Sequence, residues 1–351
     1  MYPNFKNISE ENKAALKARI AESITYNQKI VKRKRLRTIS WSMAAIFCIC
    51  LGIAVVFEQQ QKVVSPLEKF ANTASTKSDA FEKEREVKLV LSGQQAITIA
   101  DSTTIVYNAT GDKINLKNKQ IDQKNGTELQ FNTVLVPYGK RAHLSLSDGT
   151  LVWLNSGSRL VYPTVFTAET REVFLEGEAV FDVAHNKEKP FFVKAANDYS
   201  VQVLGTLFDV SCYVNDNKIS TALLRGKVRV TQTKKSLLGN TFLQKDILPG
   251  MIAVLDKKAN KLTTISQDVT SLFSWRNGYY EFAKQPLPDV LEKLTRYYNI
   301  SFEIKNNTHQ NETYSGAFNL SEDIDKVIMT LETTTGLNFD YDVKTKRITI
   351  H

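Results

Sequence analysis

The chain has 351 residues, 42% of them apolar and 24% charged, a size that suggests about two domains at roughly 100–200 residues each. That composition is ordinary for globular protein and excludes collagen-like, wholly disordered and disulfide-scaffold classes. The net charge is +9, but residues 1–37 alone hold ten Lys/Arg against three Asp/Glu, so the basic excess is one N-terminal block and no direct nucleic-acid partner is expected.

In chain order, residues 1–37 form a short cytoplasmic helical segment. Leu16, Ile20 and Ile24 recur at i, i+4 and i+8 within a helix expected from Ser9 to Val31. A helix of this length is marginal alone in water. Either it runs on into the next segment, or a partner covers the stripe, or it is a plain basic flank. From Thr38 to Phe57 there are twenty residues without a charge, enough at 1.5 Å per residue to cross ~30 Å of bilayer hydrocarbon. Lys29, Lys32, Arg33, Lys34, Arg35 and Arg37 precede this run and Glu58 follows it. Basic flanks stay on the cytoplasmic side, so the N-terminus is expected inside and the large C-terminal part outside. The preceding stretch is long for a cleaved signal, and Phe47 before Cys48 and Ile49 before Cys50 do not suit lipoprotein processing. The span is therefore read as a transmembrane helix that stays as an anchor.

Residues 58–86 are polar, with Ser65-Pro66 and small residues from Asn72 to Asp79, and read as a linker. From 87 to 267 the period changes to two. Leu89 and Leu91, Ala142, Leu144 and Leu146, Phe181 and Val183, Val201 and Val203, and Val228 and Val230 alternate between Gly, Asp and Asn turns, with Asp148-Gly149 as a hairpin signal. This predicts an all-β unit, solenoid-like or sandwich-like. Val87–Tyr107 also aligns without gaps onto Ala142–Tyr162 at an offset of 55, with five identities in 21 positions. A true repeat would favour stacking of similar β units over a closed sandwich; two unrelated alternating stretches could also give it. Cys212 is the lone cysteine outside the apolar span and reads as a buried small hydrophobe.

Residues 272–351 read as a small α/β domain of βαβ type. One helix runs Pro286–Asn299 on Leu287, Leu291, Leu294 and Tyr298, and a second is buried through Ile324, Val327, Ile328 and Leu331 and stops at Gly336. Asn319 with Glu322 is read as the capping box of that second helix. Strands are expected at 300–304, 314–318, 338–342 and 347–350.

Little in the chain announces chemistry. His143, His185, His309 and His351 have no metal-ligand spacing, and no nucleophile elbow or phosphate loop occurs. No metal, no cofactor and no enzymatic activity are expected. Glu176, Glu178 and Asp182 read as a solvated strand face, not as a pair of hydrolytic acids. The aromatics Trp153, Tyr162, Phe166, Phe174, Phe181, Phe191 and Phe192 fit a β core or, if several are exposed together, a glycan-binding face.

A series of motifs in order is more specific. Val136-Pro137-Tyr138-Gly139, Leu146-Ser147-Asp148-Gly149-Thr150, Val152-Trp153-Leu154-Asn155 and Tyr162-Pro163 come first. Arg171-Glu172-Val173, Gly177-Glu178-Ala179, Phe181-Asp182-Val183, Pro190-Phe191 and Val203-Leu204-Gly205-Thr206 follow, then Leu248-Pro249-Gly250 and Trp275-Arg276-Asn277-Gly278. From about Val87 to the end the chain resembles FecR-type transmembrane anti-sigma regulators, with a C-terminal domain similar to the short N-terminal signalling domain of secretins and TonB-dependent transducers. The resemblance implies an inner-membrane protein that crosses once. Its cytoplasmic N-terminus would hold an extracytoplasmic-function sigma factor, with Leu16, Ile20 and Ile24 as the contact residues. Its periplasmic part would receive a signal from the signalling domain of an outer-membrane TonB-dependent transporter, and membrane proteases would release it. Family members usually place a fuller helical domain before the span, where this sequence has 37 residues. Some members split themselves at a Gly-Thr pair, which here would be Gly205-Thr206; a glycine bulge that re-aims a strand is the plain alternative. The competing function is a membrane-anchored glycan-binding or adhesion module.

Overall fold

The computed structural model describes residues 14–26, 47–48, 52, 65–73, 81, 84–92, 96–117, 119–123, 129–234, 239–305 and 312–351. They fall into two units, 1–63 and 64–351. In the first, residues 14–26 are helical (α1). Most of the expected span 38–57 lies outside the described residues; Phe47, Cys48 and Gly52 are helical. Among the described residues no helix is long and apolar enough to cross a membrane.

The second unit opens with helix α2, Pro66–Thr73, inside the stretch expected to be a linker. Ser65-Pro66, read as a loop signal, is a helix start. The Ser65 carbonyl accepts the Lys69 N–H and its Oγ accepts the Glu68 N–H, while Pro66 fills the first helical position, where no donor is needed.

Among the described residues eighteen strands follow: β1 Val87–Val90, β2 Ala96–Ile99, β3 Thr104–Tyr107, β4 Lys113–Leu116, β5 Lys119–Asp122, β6 Phe131–Val136, β7 Ala142–Ser145, β8 Leu151–Leu154 and β9 Ser158–Pro163. Then come β10 Arg171–Asp182, β11 Phe191–Ala195, β12 Tyr199–Val203, β13 Leu207–Cys212, β14 Lys218–Arg225, β15 Val228–Lys234, β16 Thr241–Ile247, β17 Met251–Asp256 and β18 Lys261–Ser266. They form one hydrogen-bonded sheet that curls into two layers. The first layer runs β2-β1-β6-β9-β10-β11-β12-β15-β16 and the second β5-β4-β3-β7-β8-β10-β13-β14-β17-β18. The twelve-residue β10 belongs to both: 174–176 pair with β9, and 177–182 pair with β13. The hinge is Gly177 at φ +102°, where a Cβ would come within 2.4 Å of Ser158 Oγ. Only glycine fits there, for both reasons.

The repeat is real. Shifted by 55, the bounds of β1 and β2 fall on those of β7 and β8. Val87 faces Ile99 as Ala142 faces Leu154, and Leu89 faces Ile97 as Leu144 faces Val152. The equivalent tyrosines of the two copies, Tyr107 and Tyr162, meet in the core with their hydroxyls 2.9 Å apart. Inward residues of both layers, among them Leu89, Ile105, Leu144, Leu160, Val193, Phe208 and Cys212, make one large core. Cys212 is buried as expected, and desolvation pushes its thiol pKa up, which leaves it inert.

Beyond a 3-10 segment, Thr270–Asn277, come β19 Tyr279–Pro286, α3 Leu287–Tyr298, β20 Ser301–Ile304, β21 Thr313–Asn319, α4 Ile324–Thr335, β22 Phe339–Asp342 and β23 Arg347–Ile350. β19 pairs with β21, and β20, β23 and β22 form a second small sheet with a parallel β20–β23 pair, the expected βαβ character. The helix caps differ from expectation. Asp323 precedes α4 without a side-chain cap, and Asn319 Oδ1 accepts from the N–H and hydroxyl of Ser321. The Asn closes a local turn ahead of the helix, so it cannot serve as the cap.

Each layer has a covered outer face. On the first layer, Leu67 and Ala71 of α2 pack on Phe131, Val161 and Phe174. On the second, Val180, Leu207, Ala222 and Ile252 join Phe273, Trp275, Leu291, Leu294 and Val327 in one hydrophobic cluster. The C-terminal α/β module therefore completes its core on the β unit.

Candidate functional site

Three places are set out by the sequence and the fold. The first is the stripe of α1, where Leu16, Ile20 and Ile24 are 50–56% exposed. Helical spacing puts the three on one side. Exposed leucine and isoleucine in one row is an apolar strip suited to a partner's groove.

The second is Gly205-Thr206, between β12 and β13. The peptide is gripped by the loop after β10: the Val183 N–H donates to the Thr206 carbonyl (3.0 Å) and the Asn186 N–H to the Leu204 carbonyl (2.7 Å). Gly205 is needed for room and not for a left-handed backbone, because a Cβ would lie 2.4 Å from His185 Nδ1 and 2.8 Å from His185 Cα. Thr206 is buried and its hydroxyl donates to the Lys227 carbonyl at 3.1 Å. Gly226, at φ +100°, closes over that hydroxyl; a Cβ there would sit 2.7 Å from Thr206 Oγ1. The fold thus brings His185 to the Gly-Thr pair. It places His143 elsewhere, stacked on Trp153 with ring centroids 4.7 Å apart. An acyl shift needs a base for the Thr206 proton; the carbonyl that accepts the hydroxyl is a hydrogen-bond acceptor of negligible basicity. Gly226 and the packing of His185 were not legible in the sequence, since both are contacts between segments about 20 residues apart.

The third place was not anticipated. It is the seam where the C-terminal module meets the second layer. Gly139 donates its N–H to the Arg296 carbonyl, and Arg141 Nη1 to the Trp275 carbonyl, both at 2.9 Å. Arg296 pairs with Asp216 and with Glu292 (2.8 Å), and its guanidinium lies over the Tyr213 ring at 3.8 Å. Lys293 Nζ is 3.6 Å from Glu178 Oε1, and Asn155 Nδ2 donates to Glu178 Oε2 at 2.7 Å. Burial works against the Lys293 charge, but the neighbouring Glu178 outweighs it and raises its pKa. Asn155, Glu178, Tyr213, Trp275, Lys293 and Arg296 are among the residues that line a cavity of about 30 Å³, the room of a single water.

The seam corrects one expectation. Glu176 and Glu178 do not lie on a solvated face, whereas Asp182, half-exposed beside an exposed Arg225, does. Because β10 changes layers at Gly177, Glu176 pairs with the buried Arg159 at 2.7 Å, Glu178 is buried against Lys293, and Asp182 pairs with Arg225 at 2.9 Å. The aromatics behave as core: Tyr162, Phe174, Phe181 and Phe191 are buried, and Trp153 is flanked by His143 and Arg276. Among the described residues no group of His, Cys, Asp and Glu could hold a metal ion.

Two family models match the chain: FecR protein over residues 132–229 and FecR, C-terminal over residues 279–350. They coincide with the hinge region of the two-layered sheet and with the βαβ module. The chain carries both modules of FecR-type anti-sigma regulators. Two crystal structures, at 1.65 and 2.50 Å, of a candidate anti-sigma factor from Parabacteroides distasonis ATCC 8503 are similar to it. Each is 27% identical with a TM-score of 0.55, covering 62% and 63% of this chain and 98% of theirs. No curated protein matches. The FecR module is thus the core of the curled sheet, and the FecR C-terminal module is the α/β unit that closes its second layer. FecR proteins are regulators and not enzymes.

Proposed function

We propose that the chain is a single-pass inner-membrane anti-sigma regulator that relays a signal from an outer-membrane TonB-dependent transporter to a cytoplasmic extracytoplasmic-function sigma factor. The observation that carries this reading is the exposed Leu16-Ile20-Ile24 stripe of α1 standing ahead of the paired FecR modules. An apolar stripe without charges at its centre fits the groove of a helical partner, and the uncharged run 38–57 with its basic flank supports a cytoplasmic placement for it. The periplasmic signalling domain of the transporter would meet the FecR C-terminal module. Membrane proteases would then free the cytoplasmic segment.

The test is co-purification of the detergent-solubilised full chain. A sigma factor is expected to come with the wild type and to be lost when Leu16, Ile20 and Ile24 are changed together to Asp. A wild-type preparation that carries no sigma factor overturns the reading. A reporter active only in the periplasm, fused after His351, is expected to be active, and the same reporter before Tyr2 silent; the reverse overturns the topology.

A further inference from the structure

The seam contains one residue that does not belong in an apolar interface. Along the outer face of the second layer the strand registers set Trp153, Val180, Asp209, Ala222 and Ile252 in a single row. Val180, Ala222 and Ile252 pack on the C-terminal module, with Trp153 alongside. Asp209 stands at the centre of that row, 3% exposed, and its Oδ1 has no hydrogen-bond partner among the described residues. A carboxylate without full hydrogen bonding in an apolar setting strongly favours its neutral form. One strand away, Glu178 is also buried and already holds Lys293. Lys293 is therefore paired with one carboxyl and pulls on Asp209 only from beyond contact distance.

We propose that Asp209 makes the docking of the C-terminal module on the FecR sheet a proton-linked switch: the closed seam holds a proton on Asp209, and its loss drives the module off. When the seam opens, Asp209 meets water and returns to ordinary carboxylic acidity. Closing takes up a proton wherever the pH lies between the two titration points. The direction agrees with the surroundings, since burial, reinforced by Glu178, raises the Asp209 pKa well above its ordinary value, against the pull of Lys293 and Arg276. A raised closed-state pKa means docking is full below the open-state titration point and weakens as pH rises, up to tenfold per unit for one proton, until the closed-state point is passed.

The other charged groups at the seam are accounted for. From α3 come Asp289, Glu292, Lys293 and Arg296, from the 3-10 segment Arg276, from the loop after β6 Arg141, from β10 Glu178 and Asp182, from the loop after β13 Asp216, and from the turn after β17 Lys257. Tyr213 and Tyr280 are held neutral by burial. Glu292 also has a raised pKa, but it hydrogen-bonds Arg296 and lies at the rim, half-exposed. His143, behind Trp153, has its pKa lowered by burial. Its sign is opposite, because acid weakens the seam through His143, so it cannot mimic the effect of Asp209.

The experiment is hydrogen exchange on the full chain from pH 5 to pH 9, with protection factors corrected for the chemical exchange rate. In the wild type, amides of α3 and residues 270–277 are expected to lose protection by up to tenfold per pH unit over part of that range, while β6 and β9 keep theirs. Asp209→Asn, which keeps the shape without the charge, is expected to abolish the slope and hold α3 protected throughout. A flat wild type, or an equal slope in Asp209→Asn, overturns the proposal. If Asp209→Asn does not fold, Glu178→Gln carries the test. Freeing Lys293 for Asp209 lowers the closed-state titration point, so the loss of protection is expected to stop at lower pH and to be smaller in total, and an unchanged end point overturns the switch.

Discussion

Leu294→Ala tests whether the C-terminal module and the sheet share one core. Leu294 is fully buried on the face of α3 that enters the cluster with Val180, Ala222 and Ile252. Truncation removes three carbons, a transfer loss of about 2–2.5 kcal/mol at ~0.8 kcal/mol per methylene. Leu→Ala in a core spans about 2–5 kcal/mol, the upper values belonging to rigid dry cavities. Here the vacated space joins a small cavity walled by Asn155, Glu178, Lys293 and Arg296, which admits water and softens the cavity penalty. The expected loss is therefore about 2–3 kcal/mol, or about 4–12 °C in melting temperature for a unit of this size. The assay is thermal unfolding followed by near-ultraviolet circular dichroism, which reports Trp153 and Trp275 at the seam. Met329→Ala on α4, 62% exposed, serves as the control and is expected to stay within about 0.5 kcal/mol. An unchanged melting curve for Leu294→Ala, or an equal loss in the control, refutes the shared core.

Arg159→Met leaves Glu176 without its cation and removes the donor to the Ala71 carbonyl (3.2 Å) that ties the end of α2 to the sheet. Breaking such a buried pair is expected to cost about 3–5 kcal/mol, with early protease cuts at 66–73; an uncut α2 would show the tie is dispensable. Gly205→Ala must place a methyl 2.4 Å from His185 Nδ1, and overpacking of this kind is expected to lower stability by about 1–3 kcal/mol in a urea melt. Self-cleavage at Gly205-Thr206 is expected to give two fragments, the second starting at Thr206, with Thr206→Ala running as one band; a wild-type chain that stays whole after long incubation dismisses the reaction.

The periodicities carried much of this fold. Alternation from Val87 onward reports strands because side chains in a strand take opposite sides, and the 55-residue echo reports a repeat because equal patterns make equal hairpins; β1–β2 and β7–β8 share bounds and register. The stripes Leu287-Leu291-Leu294 and Val327-Ile328-Leu331 named two helices for the same kind of reason. The stripe Leu16-Ile20-Ile24 was equally legible, and α1 carries it exposed. What these local signals could not carry was the choice of face. Ser65-Pro66 begins a loop or a helix depending on whether Phe131, Val161 and Phe174 lie beneath to reward α2. Glu176 and Glu178 look like neighbours on one solvated face until Gly177 turns β10 from one layer to the other and buries each against a different cation. Asp209 alternates as an outward residue should, and outward normally means water. Only the docking of a module some 80 residues further along the chain turns that position into the interior, because burial is a property of what arrives and not of the strand that receives it.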